Sequence, residues 1–315
     1  MDKQLIMGID HGNSQIKTAH CCFTASVREY TMGNAMQPEI LELHGKQYFQ
    51  SSALDPTEID KTETDLYYLL TLFAIAREID SRKLSNTDTY HLYLGIGFPP
   101  GFYDEDGNKK FRDYLTREKE VIFIYNKRKY HIVFEEIFSL LQGVAALYAI
   151  NPVMQNQLRD QEFACIDIGG WTVDYIAIDK GFKENLERIY SMSGSSVNRT
   201  ADGIKRTVLR KYRYELTYEN INSIINKEKN NFEEDIQKIV QRAFKEAAEK
   251  IIIQTQSIGI DLKHYPVFLT GGGAKYMHIY FKNNPKVVNV FYVDNINLNA
   301  IGYEKIVDYA LSQRK

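Results

Sequence analysis

Apolar positions near the start of the chain run as Leu5-Ile6-Met7 and stop at Asp10-His11-Gly12-Asn13-Ser14, after which alternation resumes, with Ile16, Thr18 and His20 facing opposite to Lys17 and Ala19. A period of two marks a strand, and a cluster of small polar residues between two strands marks a tight turn. The pattern returns half a chain later. Ala164-Cys165-Ile166 leads into Asp167-Ile168-Gly169-Gly170-Trp171-Thr172, and Val173, Tyr175 and Ala177 then alternate with Asp174 and Ile176. Comparing the chain with itself therefore yields a near-repeat of strand, Asp-x-Gly turn and strand. Two such hairpins predict two related domains, each opening with an antiparallel hairpin at the edge of a sheet.

A different period fills the space between them. Leu66, Leu69, Leu70, Phe73, Ala74 and Ala76 predict an amphipathic helix over Thr64 to Ile79, with Asp65 as its N-cap, and His91 to Phe98 reads as a buried strand ending at Pro99-Pro100-Gly101. In the second half, Ile236, Ile239, Val240, Ala243, Phe244, Ala247 and Ile251 predict a long helix from Glu233 to Gln256. It precedes the strand Val267-Phe268-Leu269-Thr270 and the run Gly271-Gly272-Gly273, and a last helix spans Ala300 to Ser312. Helix and strand alternate, so the class is α/β. No low-complexity linker separates the halves, and the boundary falls near Asn151-Pro152.

Composition narrows the partners. With 315 residues, 44% hydrophobic and 25% charged, the chain is long enough for two packed domains, and disorder is excluded as its main character. Lys+Arg 39 against Asp+Glu 41 gives a net charge of -2 and no basic run, so direct nucleic-acid binding through the phosphate backbone is not expected. The longest apolar stretches, Leu66 to Ala76 and Ile137 to Ile150, fall short of the roughly 18 apolar residues of a membrane span. The opening residues leave no room for a secretion signal, so a cytoplasmic protein is expected. Cys21, Cys22 and Cys165 form neither a disulfide framework nor a C-x-x-C metal clip and read as reduced.

The Asp-x-Gly turns carry the chemistry. A triphosphate needs small residues, so that backbone N–H groups approach it, and an acidic residue for a divalent cation. Asp10 to Ser14 and Asp167 to Thr172 both meet that need, and Lys17 follows with an ammonium for a phosphate. One Asp-x-Gly is usually an ordinary turn; two in matching contexts, with a glycine run, are a far stronger signal. The chain has no G-x-x-x-x-G-K-[ST], no G-x-G-x-x-G between strand and helix and no H-E-x-x-H, which removes P-loop, dinucleotide and zinc-protease readings.

In order along the chain come the first Asp-x-Gly hairpin, a helix-opening Leu141-Gln142-Gly143-Val144-Ala145-Ala146-Leu147-Tyr148, the second hairpin, Leu269-Thr270-Gly271-Gly272-Gly273-Ala274 and Asn299-Ala300-Ile301-Gly302. This series resembles the phosphate 1, connect 1, phosphate 2, adenosine and connect 2 motifs of the actin, sugar kinase and heat-shock chaperone superfamily. The length, Pro99-Pro100-Gly101 and Thr172-x-Asp174 look most like the bacterial actin-like plasmid segregation proteins of the ParM type. The resemblance implies two domains of the actin-like, ribonuclease H-like kind, 1–150 and 151–298, with a C-terminal helix of about 299–315 packing back on the first and nucleotide in the cleft between them.

The same resemblance assigns roles. Asp10 would hold magnesium through water, and Asp167 would hold the metal shell or polarise the attacking water. Gly12, Asn13, Ser14 and Lys17 would meet the phosphates from one side and Gly169, Gly170 and Thr172 from the other, while Gly271, Gly272 and Gly273 would lie against the nucleoside and α phosphate. Gln142 would position water for hydrolysis; a neutral amide accepts a proton weakly, so turnover should be slow. Asp174 would fix its hairpin or the region near connect 2, the purine-facing residues would lie between Asp202 and Tyr218, and Trp171 and His11 depart from the small residues common at those places. Trp171 would point outward and His11 would be structural.

The implied protein is a polymerising ATPase, with GTP as an alternative, that requires Mg2+. It would assemble head to tail with itself and move plasmid DNA through a DNA-binding adaptor on a centromere-like site. A small-molecule kinase of the same fold is the rival, and lacks a clear carboxylate base beside an acceptor. A nucleotide-binding regulator without hydrolysis is a third reading, disfavoured by Asp10, Gln142 and Asp167. Neither chaperone nor membrane-tethered behaviour is expected, since no peptide-binding domain follows and neither terminus is a basic amphipathic anchor.

Overall fold

The computed structural model describes residues 2–31, 39–52, 60–102 and 105–314. Two compact units emerge, one formed by 1–149 with 297–315, the other by 150–296.

The first unit is built on strands β1 (Asp2–His11), β2 (Gln15–Lys17), β3 (Cys22–Thr24), β4 (Val27–Glu29), β5 (Ile40–Leu43) and β6 (Lys46–Gln50), helix α1 (Leu66–Ser81), strand β7 (Thr89–Phe98), helix α2 (Glu105–Leu115), strands β8 (Glu120–Tyr125) and β9 (Arg128–Leu141) and the short helix α3 (Ala146–Ala149). The second contains α4 (Pro152–Arg159), β10 (Phe163–Ile168), β11 (Val173–Asp179), β12 (Lys183–Met192), α5 (Val197–Tyr212), α6 (Tyr218–Ile225), α7 (Glu234–Gln254), β13 (Val267–Thr270), α8 (Ala274–Lys282) and β14 (Val290–Tyr292). The last helix, α9 (Leu298–Ser312), belongs to the first unit.

Among the described residues the first sheet runs β3-β2-β1-β7-β9-β8-β5-β6-β4 and the second β12-β11-β10-β13-β14. Both repeat one plan. A parallel run, β1-β7-β9 or β10-β13-β14, is extended on one side by an antiparallel pair. The hairpins therefore do not lie at the sheet edge as expected, because β3 and β12 add a further strand outside each. The alternation read through His20 also ends early: β2 stops at Lys17, and Thr18 turns its hydroxyl onto Glu78 at 2.5 Å.

Two helices differ from the sequence pattern for clear reasons. In α1 every residue from Tyr67 to Ala76 is buried, so the helix is enclosed rather than amphipathic. Its Asp65 occupies the N-cap position without a capping bond, because the carboxylate is drawn to Arg117 of the segment after α2 at 2.8 Å. Leu141 to Tyr148 does not open a long helix either; Leu141 closes β9, a turn follows, and α3 is one turn long. Gly143, at φ +83, cannot continue a helix, and Asn151-Pro152 starts the next one, so only one turn fits between; α9 packs closely on this turn. A Cβ on Gly302 would lie 1.9 Å from the Ala145 carbonyl oxygen, and one on Gly8 of β1 would lie 1.9 Å from that of Ala300, so strand and turn meet α9 backbone to backbone. All three cysteines are unbonded, with Cys165 buried in β10, and no helix among the described residues is long and apolar enough to cross a membrane.

Candidate functional site

In the first unit the carboxyl ends of three parallel strands carry the candidate residues. The registers Ile9↔Ile96 and Phe98↔Leu141 bring Asp10, at the end of β1, and Gln142, just past β9, out at the same edge of the sheet, two strands apart. Ligands of open α/β sheets collect at such carboxyl ends. Gln142 is fixed by its backbone, which donates to Phe98 O at 2.9 Å, while the next amide, Gly143 N, donates to Asn299 Oδ1 of α9 at 3.0 Å. Its side-chain amide has no partner among the described residues.

Asp10 is buried and stands directly across the ladder from Lys17, whose ammonium donates to Asp10 Oδ2 at 3.2 Å. A strand pair places opposite side chains on one face, so this ion pair follows from the hairpin register alone. Beyond it, Gly12, Asn13 and Ser14 form the turn; Tyr67 of α1 donates its hydroxyl to Asn13 Oδ1 at 3.2 Å, and Ala25 N donates to Ser14 O at 3.1 Å.

His11 is a core residue. Its ring packs edge-on to Phe111 with centroids 5.4 Å apart, and Nε2 lies 2.8 Å from Thr71 Oγ1. Thr71 Oγ1 also lies 2.7 Å from Tyr67 O, and His11 Nδ1 has no hydrogen-bond partner by geometry among the described residues. Burial, reinforced by the nearby Lys61 charge, pushes the imidazole pKa down to about 3, and the ring is neutral at physiological pH.

Lys61 was missed by sequence reasoning, since a lysine in a polar segment before a helix reads as solvated. Its stem is partly exposed, but its ammonium is enclosed, donating to His11 O at 2.5 Å and lying 5.0 Å from the centre of the Tyr67 ring. Burial lowers its pKa to about 8 against the opposing pull of Asp10. Glu78 was missed as well. It is fully buried and accepts from Thr18, from His20 and, at 2.7 Å, from Arg82 Nε, with Arg82 also donating to Ile6 O at 3.1 Å and pairing with Glu304 of α9. This network ties the outgoing end of the first hairpin to α1 and α9.

In the second unit Asp167 is buried at the end of β10, level with Thr270 of β13 and directly opposite Asp174 of β11. Asp174 accepts from Ser191 Oγ at 2.5 Å and Thr172 Oγ1 at 3.3 Å; burial still raises its pKa, the two donors only partly offsetting it. The Thr172 hydroxyl is thus turned onto Asp174. Within the turn, Gly169 N donates to Thr172 O at 2.9 Å, and the first amides of α5, Val197 N and Asn198 N, donate to Gly169 O at 3.2 Å and Gly170 O at 2.9 Å. The amides of Gly170 and Trp171 have no acceptor among the described residues. The Arg199 guanidinium sits 5.6 Å from the Trp171 ring centre, so Trp171 is covered from α5.

The three glycines after β13 are not equivalent. Gly271 has φ +84, and a Cβ there would lie 2.2 Å from Asp167 Oδ1 and 2.6 Å from Ile168 O. Gly273 donates to Ile168 O at 2.7 Å, and a Cβ on it would strike Ile168 and Val197. Both are required for the turn to pack on the end of β10. Gly272 alone has open space around its Cβ position.

The structure therefore gathers Asp10, Gly12, Asn13, Ser14, Lys17 and Gln142 in the first unit and Asp167, Gly169, Gly170, Thr172 and Gly271 to Gly273 in the second. Among the described residues no three His, Cys, Asp or Glu side chains come together as a protein-only metal cage. Asp202 and Tyr218, which bracket the expected purine region, bond to each other at 2.8 Å, with the Lys205 ammonium 4.6 Å from the Tyr218 ring centre.

Residues 8–144 match a family model described as the N-terminal domain of actin-like proteins. No curated protein matches the sequence. Solved structures match over nearly the whole chain. The actin-like protein Alp7A shares 13% identity at a TM-score of 0.76, covering 100% of this chain and 98% of its own. An archaeal actin homologue, Ta0583, solved in complex with ADP, shares 15% at a TM-score of 0.74, covering 97% and 100%. The ParM of a 15-stranded filament from Clostridium botulinum shares 19% at a TM-score of 0.72, covering 98% and 100%. The chain thus has the actin-like fold along its length, and its residues 8–144 are similar to the N-terminal domain of actin-like proteins.

Proposed function

We propose that the protein is a nucleotide-dependent filament former that binds ATP, or GTP, with Mg2+ and couples hydrolysis to assembly. The observation that carries this reading is the duplicated turn: each unit ends a buried strand in an aspartate, follows it with a short turn, and, in the second unit, leaves two turn amides without acceptors. Such amides beside a carboxylate suit a phosphate with its magnesium. The ADP-bound and filamentous structures among its structural neighbours support the same reading.

Mg2+ keeps several waters and takes only one or two carboxylates besides phosphate oxygens, so separate aspartates fit it better than a cage would. Asp10 and Asp167 would hold the ion's water shell, and the ion would neutralise developing phosphate charge. Lys17 would shift from Asp10 toward phosphate, and Gly12, Asn13, Ser14, Gly169 and Gly170 would present their backbone. Thr172 would supply its hydroxyl after leaving Asp174, and Gly272 would give the nucleoside its flat backbone contact beside Gly271 and Gly273. Gln142 would orient the attacking water, with Asp167 polarising it. The net charge of -2 leaves contact with plasmid DNA to an adaptor protein, as in a cytoplasmic segregation system.

Light scattering and sedimentation test the proposal. Head-to-tail assembly does not close, so it begins above a threshold concentration, which Mg-ATP should lower and ADP should raise. A protein that stays monomeric with Mg-ATP at tens of micromolar, across salt and pH, would instead be a small-molecule kinase of the same fold.

A further inference from the structure

The first turn carries a cation that the roles above leave unused. Lys61 reaches it from the segment ahead of α1, and its approach is built rather than incidental. Asp60 is held by Lys110 of α2 and accepts from Thr62 N at 2.9 Å and Thr62 Oγ1 at 2.6 Å, which fixes the backbone on either side of Lys61. From there the side chain crosses the Tyr67 ring to the His11 carbonyl. Tyr67 in turn bonds Asn13, so the ammonium and the turn are braced by the same side chain.

An ammonium has three N–H donors. One goes to His11 O, and among the described residues the other two have no acceptor and no carboxylate lies within ion-pair distance. The nearby acid, Asp10, already bonds Lys17. Among the described residues, two ammonium groups therefore lie near one carboxylate beside a neutral histidine, in a partly desolvated place. Burying a charge without a partner is costly, and an incoming anion offsets that cost.

Resting on the nucleotide reading above, we propose that Lys61 is a second phosphate-binding cation of the Asp10–Ser14 turn, engaged by the terminal phosphate of a nucleoside triphosphate and disengaged in the diphosphate. The two states differ by about one unit of negative charge, and among the described residues Lys61 is a cation at this turn with no carboxylate bonded to it. In the diphosphate state it returns to the His11 carbonyl. Its effect is thus on the discrimination between the two nucleotides rather than on binding as such.

Equilibrium binding of Mg-ATP and Mg-ADP to wild type, Lys61→Met and Lys61→Gln decides it, at protein concentrations shown by sedimentation to be too low for assembly. A charge-assisted contact made only to the triphosphate gives a loss of about tenfold or more in ATP affinity in both variants, with ADP affinity held within about threefold. The ratio of the two constants is the readout, since partial misfolding lowers the active fraction alike for both nucleotides. Equal losses for ATP and ADP would reduce Lys61 to a structural latch on His11, and an unchanged ratio would overturn the proposal while leaving nucleotide binding intact. Wild-type protein that binds neither nucleotide would overturn the nucleotide reading and this inference with it.

Discussion

Both Asp-x-Gly hairpins put the residue seven places after the aspartate directly across the ladder from it, Lys17 opposite Asp10 and Asp174 opposite Asp167. The register is the same and the chemistry is reversed. In the first hairpin a buried acid is neutralised by a cross-strand ammonium. In the second an acid faces another acid, which is kept by two hydroxyls and burdened by burial. The supports differ accordingly: Lys61 and Tyr67 of the α1 region brace the first turn, whereas the amides of α5 and the glycines after β13 brace the second. One backbone plan therefore tolerates opposite electrostatics as long as each charge finds donors.

The strongest test of that contrast is steric. Gly271→Ala would set a Cβ 2.2 Å from Asp167 Oδ1 at φ +84, and denaturant unfolding should show a loss of about 4 kcal/mol. Gly272→Ala, with nothing within 4 Å, should stay within about 0.5 kcal/mol. Similar losses at both positions would mean that the glycine turn does not buttress the second hairpin.

Next in size is the ion pair of the first hairpin. Side-chain exposures of 11% for Lys17 and 4% for Asp10 mean that Lys17→Met strands a buried carboxylate, at a cost of about 3 kcal/mol. The double variant Asp10→Asn, Lys17→Met should recover part of that loss. A double variant as unstable as the sum of its singles would show that the pair is not coupled.

Turnover tests whether the hairpins divide the chemistry. Gln142→Ala and Asp167→Ala should each release phosphate about 10²-fold more slowly while still binding nucleotide, and Gln142→Ala filaments should outlast those of the wild type. Unchanged phosphate release in both variants would remove these residues from the proposed mechanism.

Acid stability separates the two hairpins by slope. His11 has its pKa lowered from 6.5 to about 3, so as pH falls below 6.5 the unfolded chain takes up a proton that the folded chain refuses. Stability should therefore be unaffected by this group above pH 6.5 and fall by up to about 1.4 kcal/mol per pH unit as pH drops toward 3. His11→Phe should flatten that part of the curve measured by thermal unfolding, and an unaltered slope would refute the assignment.

A small effect is expected at Asp174. Its raised pKa means the folded protein carries this charge reluctantly, and Asp174→Asn keeps the acceptor for Ser191 while losing the bond from Thr172. The two changes oppose each other, so stability at pH 7 should move by less than about 1 kcal/mol. A larger loss would show that the paired acids need the charge.

Strand periodicity made both hairpins legible, because alternation around Asp10 and Asp167 and the small residues between are local properties of the chain. The glycine run was legible as a turn for the same reason. Lys61 was not, since nothing local separates a lysine that bends inward onto His11 from one that stays in water. Leu141 to Tyr148 misled for a related cause: its apolar residues suit a helix, but Leu141 still pairs in β9 and Gly143 turns at φ +83, so only one turn, α3, is formed. The outer positions of β3 and β12 were equally hidden, as strand order depends on pairing between segments and not on the period within one.

By itself the sequence determined the α/β class, the duplicated strand-turn-strand units and the residue types at each turn, all of which depend on neighbours a few positions apart. Tertiary structure decided which groups distant in sequence meet. It enclosed α1 on every side, set the His11 ring against Thr71 and Phe111, bent Lys61 onto the His11 carbonyl, and left Gly272 open while filling the space beside Gly271 and Gly273. The physical reason is that hydrogen-bond partners, burial and close approach are properties of positions in space, and residues as far apart in sequence as Glu78 and Glu304 acquire a common partner in Arg82 only once the chain has folded.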